Sequence, residues 1–202
     1  MIFLDKYIES ELVEYKNICG IDEVGRGSLF GPVVAAAIIM NLDDVIDEVN
    51  DSKKITRKKR ILLAREIEEK SLAVGIGIVD NKTIDKINIK QATRLAMKLA
   101  LEDMIQKFNI NPGIVLIDAE NIDSHIKQKS IVHGDSLSYN IAAASIYAKV
   151  FRDNMIIKLA EEFPYYSLET NMGYGTKKHY EGLLKYGKTI FHRESFLKKD
   201  IR

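Results

Sequence analysis

Ten residues, Ile18-Cys-Gly-Ile-Asp-Glu-Val-Gly-Arg-Gly27, set two adjacent acids at the end of an apolar run and follow them with an arginine between two glycines. A short buried strand here would deliver Asp22 and Glu23, carboxylates that are costly to desolvate unless a cation binds them. The Gly25-Arg26-Gly27 backbone can approach a ligand without side-chain obstruction. Metal and phosphate chemistry are therefore expected side by side, although a motif this short also reads as a surface acid pair before a glycine turn. Asp118 and Asp135 obey the same positional rule, since each ends or follows an apolar, strand-like segment, and strand ends are where open α/β sheets build their sites. Four carboxylates converging in one cleft would raise one another's pKa and would not persist ionised without cations. Carboxylate oxygens suit Mg²⁺ or Mn²⁺. Two such ions about 4 Å apart support in-line phosphoryl displacement.

Adjacent strand residues point to opposite faces, so a regular strand cannot aim both Asp22 and Glu23 at a ligand. The expectation is that Glu23 lies past the last ladder position. Asp118 and Asp135 also have a plainer reading as caps, and Asp135 to Ser138 has the spacing of a capping pattern.

The elements that must position these acids follow from periodicity and punctuation. Ile18 to Asp22 and Pro32 to Met40 read as strands, able to pair as an antiparallel hairpin. Thr56 is an expected N-cap for a helix to about Lys70, with Ile61, Leu62, Ala64, Arg65 and Ile67 as its apolar stripe. Ser71 to Val79 reads as a third strand, and residues 81–108 as helix with a break at Asn88. Asn111-Pro112-Gly113 is expected to end that helix before a short buried strand, Ile114 to Ile117, that terminates at Asp118. Ser130 to His133 reads as a last strand, and Ser138 to Phe163 as a long helix whose run Ile141-Ala-Ala-Ala-Ser145 permits close packing on a sheet. Beyond Pro164 come a glycine turn, Gly173-Tyr174-Gly175, and a helix from about Thr176 to Tyr186. These readings predict an α/β domain with a mixed sheet, antiparallel in its first half and parallel in its second.

The 202 residues are 46% hydrophobic and 29% charged, the balance of a soluble globular chain. No apolar stretch reaches membrane-spanning length, and acids at Asp5, Glu9, Glu11 and Glu14 argue against a secretory leader, so a cytoplasmic location is expected. The single Cys19 reads as a small core residue. A net charge of +1 hides an uneven distribution. Residues 1–50 hold ten acids and three bases, Asp51 to Arg60 hold six bases and one acid, and residues 171–202 hold eight bases and three acids. Basic patches beside an acidic centre fit a gripped polyanion, and equally fit solvated helix faces.

Taken together, the motifs closely resemble those of ribonuclease HII, the type 2 ribonucleases H, over nearly the whole chain. The matching blocks come in the family's order: Gly20-Ile-Asp-Glu-Val-Gly-Arg-Gly27, Gly31-Pro-Val-Val-Ala-Ala-Ala37, Asp51-Ser-Lys-Lys54, Leu116-Ile-Asp118, Gly134-Asp135 and Ile141-Ala-Ala-Ala-Ser-Ile146. They continue with Ala148-Lys-Val150, Arg152-Asp153, Gly173-Tyr-Gly-Thr176, His192-Arg193 and Ser195-Phe196. The resemblance implies an RNase H-like fold, a five-stranded mixed sheet flanked by helices. Residues 1–163 would form the catalytic domain and 164–202 a helical extension that packs on it and contacts substrate. It implies cleavage of RNA in RNA/DNA hybrids, and on the 5′ side of ribonucleotides embedded in duplex DNA, leaving 3′-hydroxyl and 5′-phosphate ends.

Carried over by position, Asp22, Glu23, Asp118 and Asp135 are the metal-binding acids of a two-metal Mg²⁺ or Mn²⁺ site. Gly25, Arg26 and Gly27 match the strip that recognises the ribonucleotide 2′-hydroxyl. Tyr174 matches the tyrosine that packs on the sugar of the following deoxynucleotide. Lys53, Lys54 and Lys177 are candidates for phosphate contacts, Asp153 has a supporting role, and a monomer is expected. Two departures stand out: Ser28 where the family commonly has proline, and Ala119 where glycine is usual. The rival readings are another two-metal nuclease on the same fold acting on DNA, and a non-catalytic nucleic-acid-binding module. A two-carboxylate glycosidase leaves Arg26 and the basic segments without a task.

Overall fold

The computed structural model describes residues 7–49 and 55–199. Its centre is a five-stranded sheet of β1 (Ile18–Val24), β2 (Val33–Met40), β3 (Ser71–Val79), β4 (Ile114–Asp118) and β5 (Gln128–Ile131), in the order β3-β2-β1-β4-β5. β1 pairs antiparallel with β2, and β2 with β3. β4 runs parallel to both β1 and β5. The mixed sheet is thus antiparallel in its first half and parallel in its second, as the element order predicts.

The helices are α1 (Arg57–Lys70), α2 (Asn81–Ile87), α3 (Ile89–Phe108), α4 (Gly134–Leu137), α5 (Tyr139–Glu162), α6 (Leu168–Asn171) and α7 (Lys177–Tyr186). Thr56 caps α1 by accepting the Lys59 N–H. Asn88 breaks the helical stretch at φ +66°, and its side chain accepts from Lys90 and Gln91 to start α3. α3 ends at Phe108 as expected, with the left-handed Asn109 as its C-cap ahead of Pro112. Two expectations shift. The fifth strand lies two residues earlier than expected and ends at Ile131, because His133 already adopts φ +59° at the entry to α4. α1 buries Leu63, Ala64 and Ile67 while Leu62 is 57% exposed, since Leu63 and Ala64 stand four and three residues before Ile67 and share its face, whereas Leu62 stands five before it.

Alternation along the strands divides the core. Cys19, Ile21, Ala35 and Ala37 pack with Ala96, Met97, Ala100 and Met104 of α3 on one face. Ala36, Ile38 and Met40 pack with α1 and the Ala142–Ala144 run of α5 on the other. A Cβ on Gly20 would lie 2.2 Å from the Asn140 carbonyl carbon, so glycine there lets the start of α5 come against β1. That start is also held from afar: the buried Glu9 carboxylate accepts from Ser138 Oγ at 2.6 Å and from the Asn140 backbone N–H at 3.0 Å. A carboxylate at a helix N-terminus satisfies amides that have no partner within the helix. A further cluster joins Leu29, Phe30 and Ile156 to Tyr166, Leu168, Met172, Leu183 and Leu197. Among the described residues no helix is long and apolar enough to cross a membrane.

Candidate active site

The last rung between β1 and β4 pairs Ile21 with Ile117, whereas β1 continues against β2 through Glu23–Ala35 and Val24–Val34. Glu23 therefore does not leave the ladder, contrary to the sequence expectation. Instead β1 overruns the end of its parallel partner, and its flank opens. Asp22 faces α5, where Ser145 donates to its carboxylate, and its Oδ1 also accepts the Glu23 backbone N–H at 2.8 Å. Glu23 faces the other way, toward Arg26 and Glu120. Both line one cleft of about 340 Å³, together with Gly25, Arg26, Gly27, Arg60, Ser145, Lys149 and Tyr174. Opposite faces of a strand reach the same cavity because the cavity wraps the open flank.

Asp118 ends β4 and is half-buried; its Oδ1 accepts the Gly134 backbone N–H at 2.8 Å, which brings the adjacent Asp135 to the same end of the sheet. Asp135 is buried in the short α4. Burial holds the Asp22 carboxyl well above its usual range, and the charges of Glu23 and Asp118 push it the same way. Burial likewise raises Glu23, opposed by the Arg26 guanidinium and reinforced by Asp118. Among the described residues no three acidic, histidine or cysteine side chains already enclose a metal position. The donor set nevertheless suits a hard cation. Glu23 Oε2 is buried without a hydrogen-bond partner, and Asp22 is raised by burial and by neighbouring acids, two costs that a bound cation would relieve.

The strip beyond β1 is held by residues far along the chain. Gly25 has φ +93°, and a Cβ there would lie 2.2 Å from Arg152 Nε, so the position requires glycine twice over. Around Gly27 the nearest atom to a Cβ would be Tyr174 Cε1 at 4.0 Å, so its backbone faces the cleft unobstructed. Arg152 is fully buried and donates to the carbonyls of Pro32 (2.9 Å), Met172 (2.9 Å) and Phe30 (3.0 Å) and to Ser28 Oγ (2.8 Å). Arg193, also fully buried, donates to the carbonyls of Gly31 and Arg26, each at 2.9 Å. Ser28 thus serves as a buried relay between Arg152 and the Phe30 carbonyl. Ser28 also bridges Tyr174, and the Leu29 N–H donates to the Gly173 carbonyl at 2.9 Å, so the strip and the tyrosine turn are stitched together.

Arg26 is 42% exposed at the side chain and lies 3.5 Å from Glu23 and 3.6 Å from Glu120. Glu120, a buried acid that sequence reading passed over, also accepts from Arg94 at 2.9 Å. Its position two residues beyond Asp118 was the available signal. Arg60 and Lys149 on the cleft wall were missed as well, because nothing in a helical charge pattern says which face meets a cleft. Lys149 pairs with Asp153 at 2.8 Å and lies 5.8 Å from the Tyr174 ring. Lys177 stands 92% exposed in the first turn of α7, 3.9 Å from Glu181, and does not line the cleft. Lys53 and Lys54 fall outside the described residues. Ala119 occupies φ +50°, the left-handed conformation that glycine adopts without strain.

A family model described as Ribonuclease HII matches residues 19–199. A ribonuclease HII of Alkaliphilus oremlandii is 52% identical over 187 residues, covering 92% of each chain. Among solved structures, the ribonuclease H2 from Pyrococcus horikoshii OT3 superposes with a TM-score of 0.76 at 22% identity, covering 88% of this chain and 92% of that one. Bst-RNase HIII in complex with Mn²⁺ gives a TM-score of 0.60 at 20% identity, over 73% of this chain and 55% of that one. The five-stranded sheet is therefore that of the RNase H structures, and the chain belongs to the ribonuclease HII family as a ribonuclease H endonuclease, a phosphodiester hydrolase.

Proposed function

We propose that the cleft cleaves RNA in RNA/DNA hybrids and on the 5′ side of ribonucleotides embedded in duplex DNA, leaving 3′-hydroxyl and 5′-phosphate ends. The observation that carries this reading is the shared cleft of Asp22, Glu23, Gly25, Arg26, Gly27 and Tyr174, which sets paired acids beside an unobstructed backbone strip and an aromatic ring. Asp22, Glu23, Asp118 and Asp135 hold Mg²⁺ or Mn²⁺. When bound, two such ions supply a water of lowered pKa and stabilise charge on the departing 3′-oxygen. Asp22, oriented by Ser145 and by the Glu23 amide, keeps its remaining lone pairs toward the cleft. Glu23 offers the partnerless Oε2, while the Arg26 guanidinium beside Oε1 favours its ionised form. No nucleophilic side chain takes part.

The strip reads the 2′-hydroxyl, the group that distinguishes RNA from DNA, through backbone groups of Gly25-Arg26-Gly27, of which Arg26 and Gly27 are exposed residues. Tyr174 packs on the sugar of the following deoxynucleotide, where an additional 2′-hydroxyl would crowd the ring. Arg60 and Lys149 on the cleft wall meet phosphates, and Lys53, Lys54 and Lys177 are assigned the same task on sequence alone. Residues 164–202 form an extension of the catalytic domain that brings Tyr174 to the substrate. The enzyme works as a monomer in the cytoplasm.

The test is a DNA duplex with one ribonucleotide, an all-DNA duplex and a long hybrid, each incubated with and without Mg²⁺ and mapped for cut position. A metal-dependent cut 5′ to the single ribonucleotide is expected. Cleavage of the all-DNA duplex would assign the site to a DNA nuclease, and salt-sensitive binding without products would make it a binding module. Tyr174→Ala should reduce cleavage at the single ribonucleotide more than binding; equal turnover would contradict the junction role.

A further inference from the structure

Behind Tyr174 lie two histidines that the hydrolytic chemistry leaves unused. His179, in the first turn of α7, is fully buried, and His192 is 2% exposed. Their Nε2 atoms are 3.0 Å apart. At one end His192 Nδ1 accepts the Thr189 backbone N–H at 2.9 Å, with Thr189 Oγ1 at 3.0 Å. At the other end His179 Nδ1 lies 3.0 Å from the Tyr174 carbonyl.

A backbone amide only donates and a carbonyl only accepts, so the two ends assign every proton between them. His192, accepting at Nδ1, carries its proton on Nε2 and donates to His179. His179, accepting at Nε2, carries its proton on Nδ1 and donates to Tyr174. The result is a one-way relay from Thr189 through His192 and His179 to the Tyr174 carbonyl. A second proton on either ring would set two donors face to face or displace the Thr189 amide. Burial lowers the pKa of both rings, and His179 adds to the effect on His192, which is pushed down to about 3, so the relay is intact at neutral pH. Phe30 and Tyr166 pack edge-on around the pair and leave little room for water. The next residue, Arg193, holds the Arg26 carbonyl. Two successive residues therefore hold the two halves of the cleft surface: His192 reaches Tyr174, and Arg193 reaches the strip.

We propose that His192 and His179 are positioning residues for substrate selection, setting the Tyr174 backbone against the Gly25-Arg26-Gly27 strip and thereby favouring an RNA-to-DNA junction over uninterrupted RNA. This rests on the reading of Tyr174 as the junction contact. The relay touches no substrate and acts through Tyr174 alone.

The experiment measures kcat and KM with Mg²⁺ on a DNA duplex holding one ribonucleotide and on a long RNA/DNA hybrid, for wild type, His192→Gln, His192→Leu and Tyr174→Ala. A glutamine amide can accept from Thr189 and donate to His179, so His192→Gln should retain the wild-type ratio of kcat/KM between the two substrates. Leucine can do neither, and the ratio should fall about tenfold, the size of one net hydrogen bond, chiefly through kcat on the single-ribonucleotide duplex. An unchanged ratio in His192→Leu, while Tyr174→Ala lowers it, overturns the relay. Equal loss in the leucine and glutamine variants marks a packing effect and also overturns it. An unchanged ratio in Tyr174→Ala instead removes the junction reading beneath it. Ring ¹⁵N chemical shifts of the wild-type protein give a check that needs no variant. They should report protons on His192 Nε2 and His179 Nδ1, and the opposite tautomers would refute the relay.

Discussion

Asp22 and Glu23 stand on a strand paired rung by rung with β2, whereas Arg26 and Tyr174 stand on loops whose carbonyls are gripped by Arg193 and His179. The two regions share one cleft but not one kind of support. Backbone pairing places the acids with no demand on side-chain identity beyond the sheet itself. The strip and the tyrosine turn depend on buried polar side chains that share out the loop carbonyls, with the Tyr174 carbonyl held also by the Thr176 N–H and the Phe30 carbonyl also by Ser28 Oγ. Damage to the first region should therefore appear in chemistry with the fold intact, and damage to the second in stability and selectivity together.

The largest expected effect is on chemistry. Asp22→Asn should lower kcat on a hybrid by about a thousandfold or more, roughly 4 kcal/mol of transition-state stabilisation, with hybrid binding largely kept. The same variant should gain stability in metal-free buffer. Because the folded pKa of Asp22 lies above its ordinary 3.8, the native state holds a proton that the unfolded chain has already released. Stability is thus lost as pH rises from about 3.8 through the folded value, and an uncharged asparagine escapes that loss. Calorimetry in chelator at pH 5 and pH 8 reads the sign. A melting temperature of wild type that holds up as well as that of Asp22→Asn across this range would contradict it.

Next in size is Arg152→Met. Four acceptors lose a charged donor, of which the Phe30 carbonyl keeps Ser28 Oγ, and the expected destabilisation is about 3–5 kcal/mol by denaturant titration, with metal-binding affinity changed less than stability. Loss of metal binding in step with stability would show that the two regions are not separately supported.

The histidine pair predicts a smaller, pH-dependent effect confined to the loop region. His192 is neutral when folded down to about pH 3 but takes a proton near pH 6.5 when unfolded. Its contribution is complete above pH 6.5 and is lost as pH falls toward 3. His179, lowered by burial, acts in the same direction, with Tyr166 and Arg193 as the other titratable neighbours of His192. His192→Gln should flatten the fall in melting temperature between pH 6.5 and 4, and equal slopes would count against the buried neutral pair. The smallest change is Ala119→Gly, which relieves a left-handed alanine and should stabilise by about 0.5–1 kcal/mol, less the added entropy of the unfolded chain.

The elements were readable where local chemistry dominates. Thr56 and Ser138 are N-caps, Asn88 breaks a helix and Thr176 opens α7, because each offers a side-chain oxygen beside unpaired amides. A boundary slipped where the left-handed His133 closed an element that periodicity would have continued. Glu120, Arg60 and Lys149 escaped notice because a charged residue on a helix or loop gives no sign of which way it faces. Arg152 and Arg193 stood in view as motif residues, yet their burial was not legible, since a guanidinium is buried only when distant carbonyls converge on it.

From residue order alone came the α/β class, the hairpin, the mixed sheet and a resemblance strong enough to name the chemistry. Those features rest on local periodicity, capping and motif spacing, all of which are written along the chain. The tertiary structure decided how Asp22 and Glu23 share a cleft. They do so from opposite faces of β1, because that strand overruns β4 and leaves its flank open. Tertiary structure also brought residues 152, 179, 192 and 193 behind the loops that meet the cleft. Pairing register and long-range convergence depend on where a strand's neighbour stops, and no local pattern encodes that.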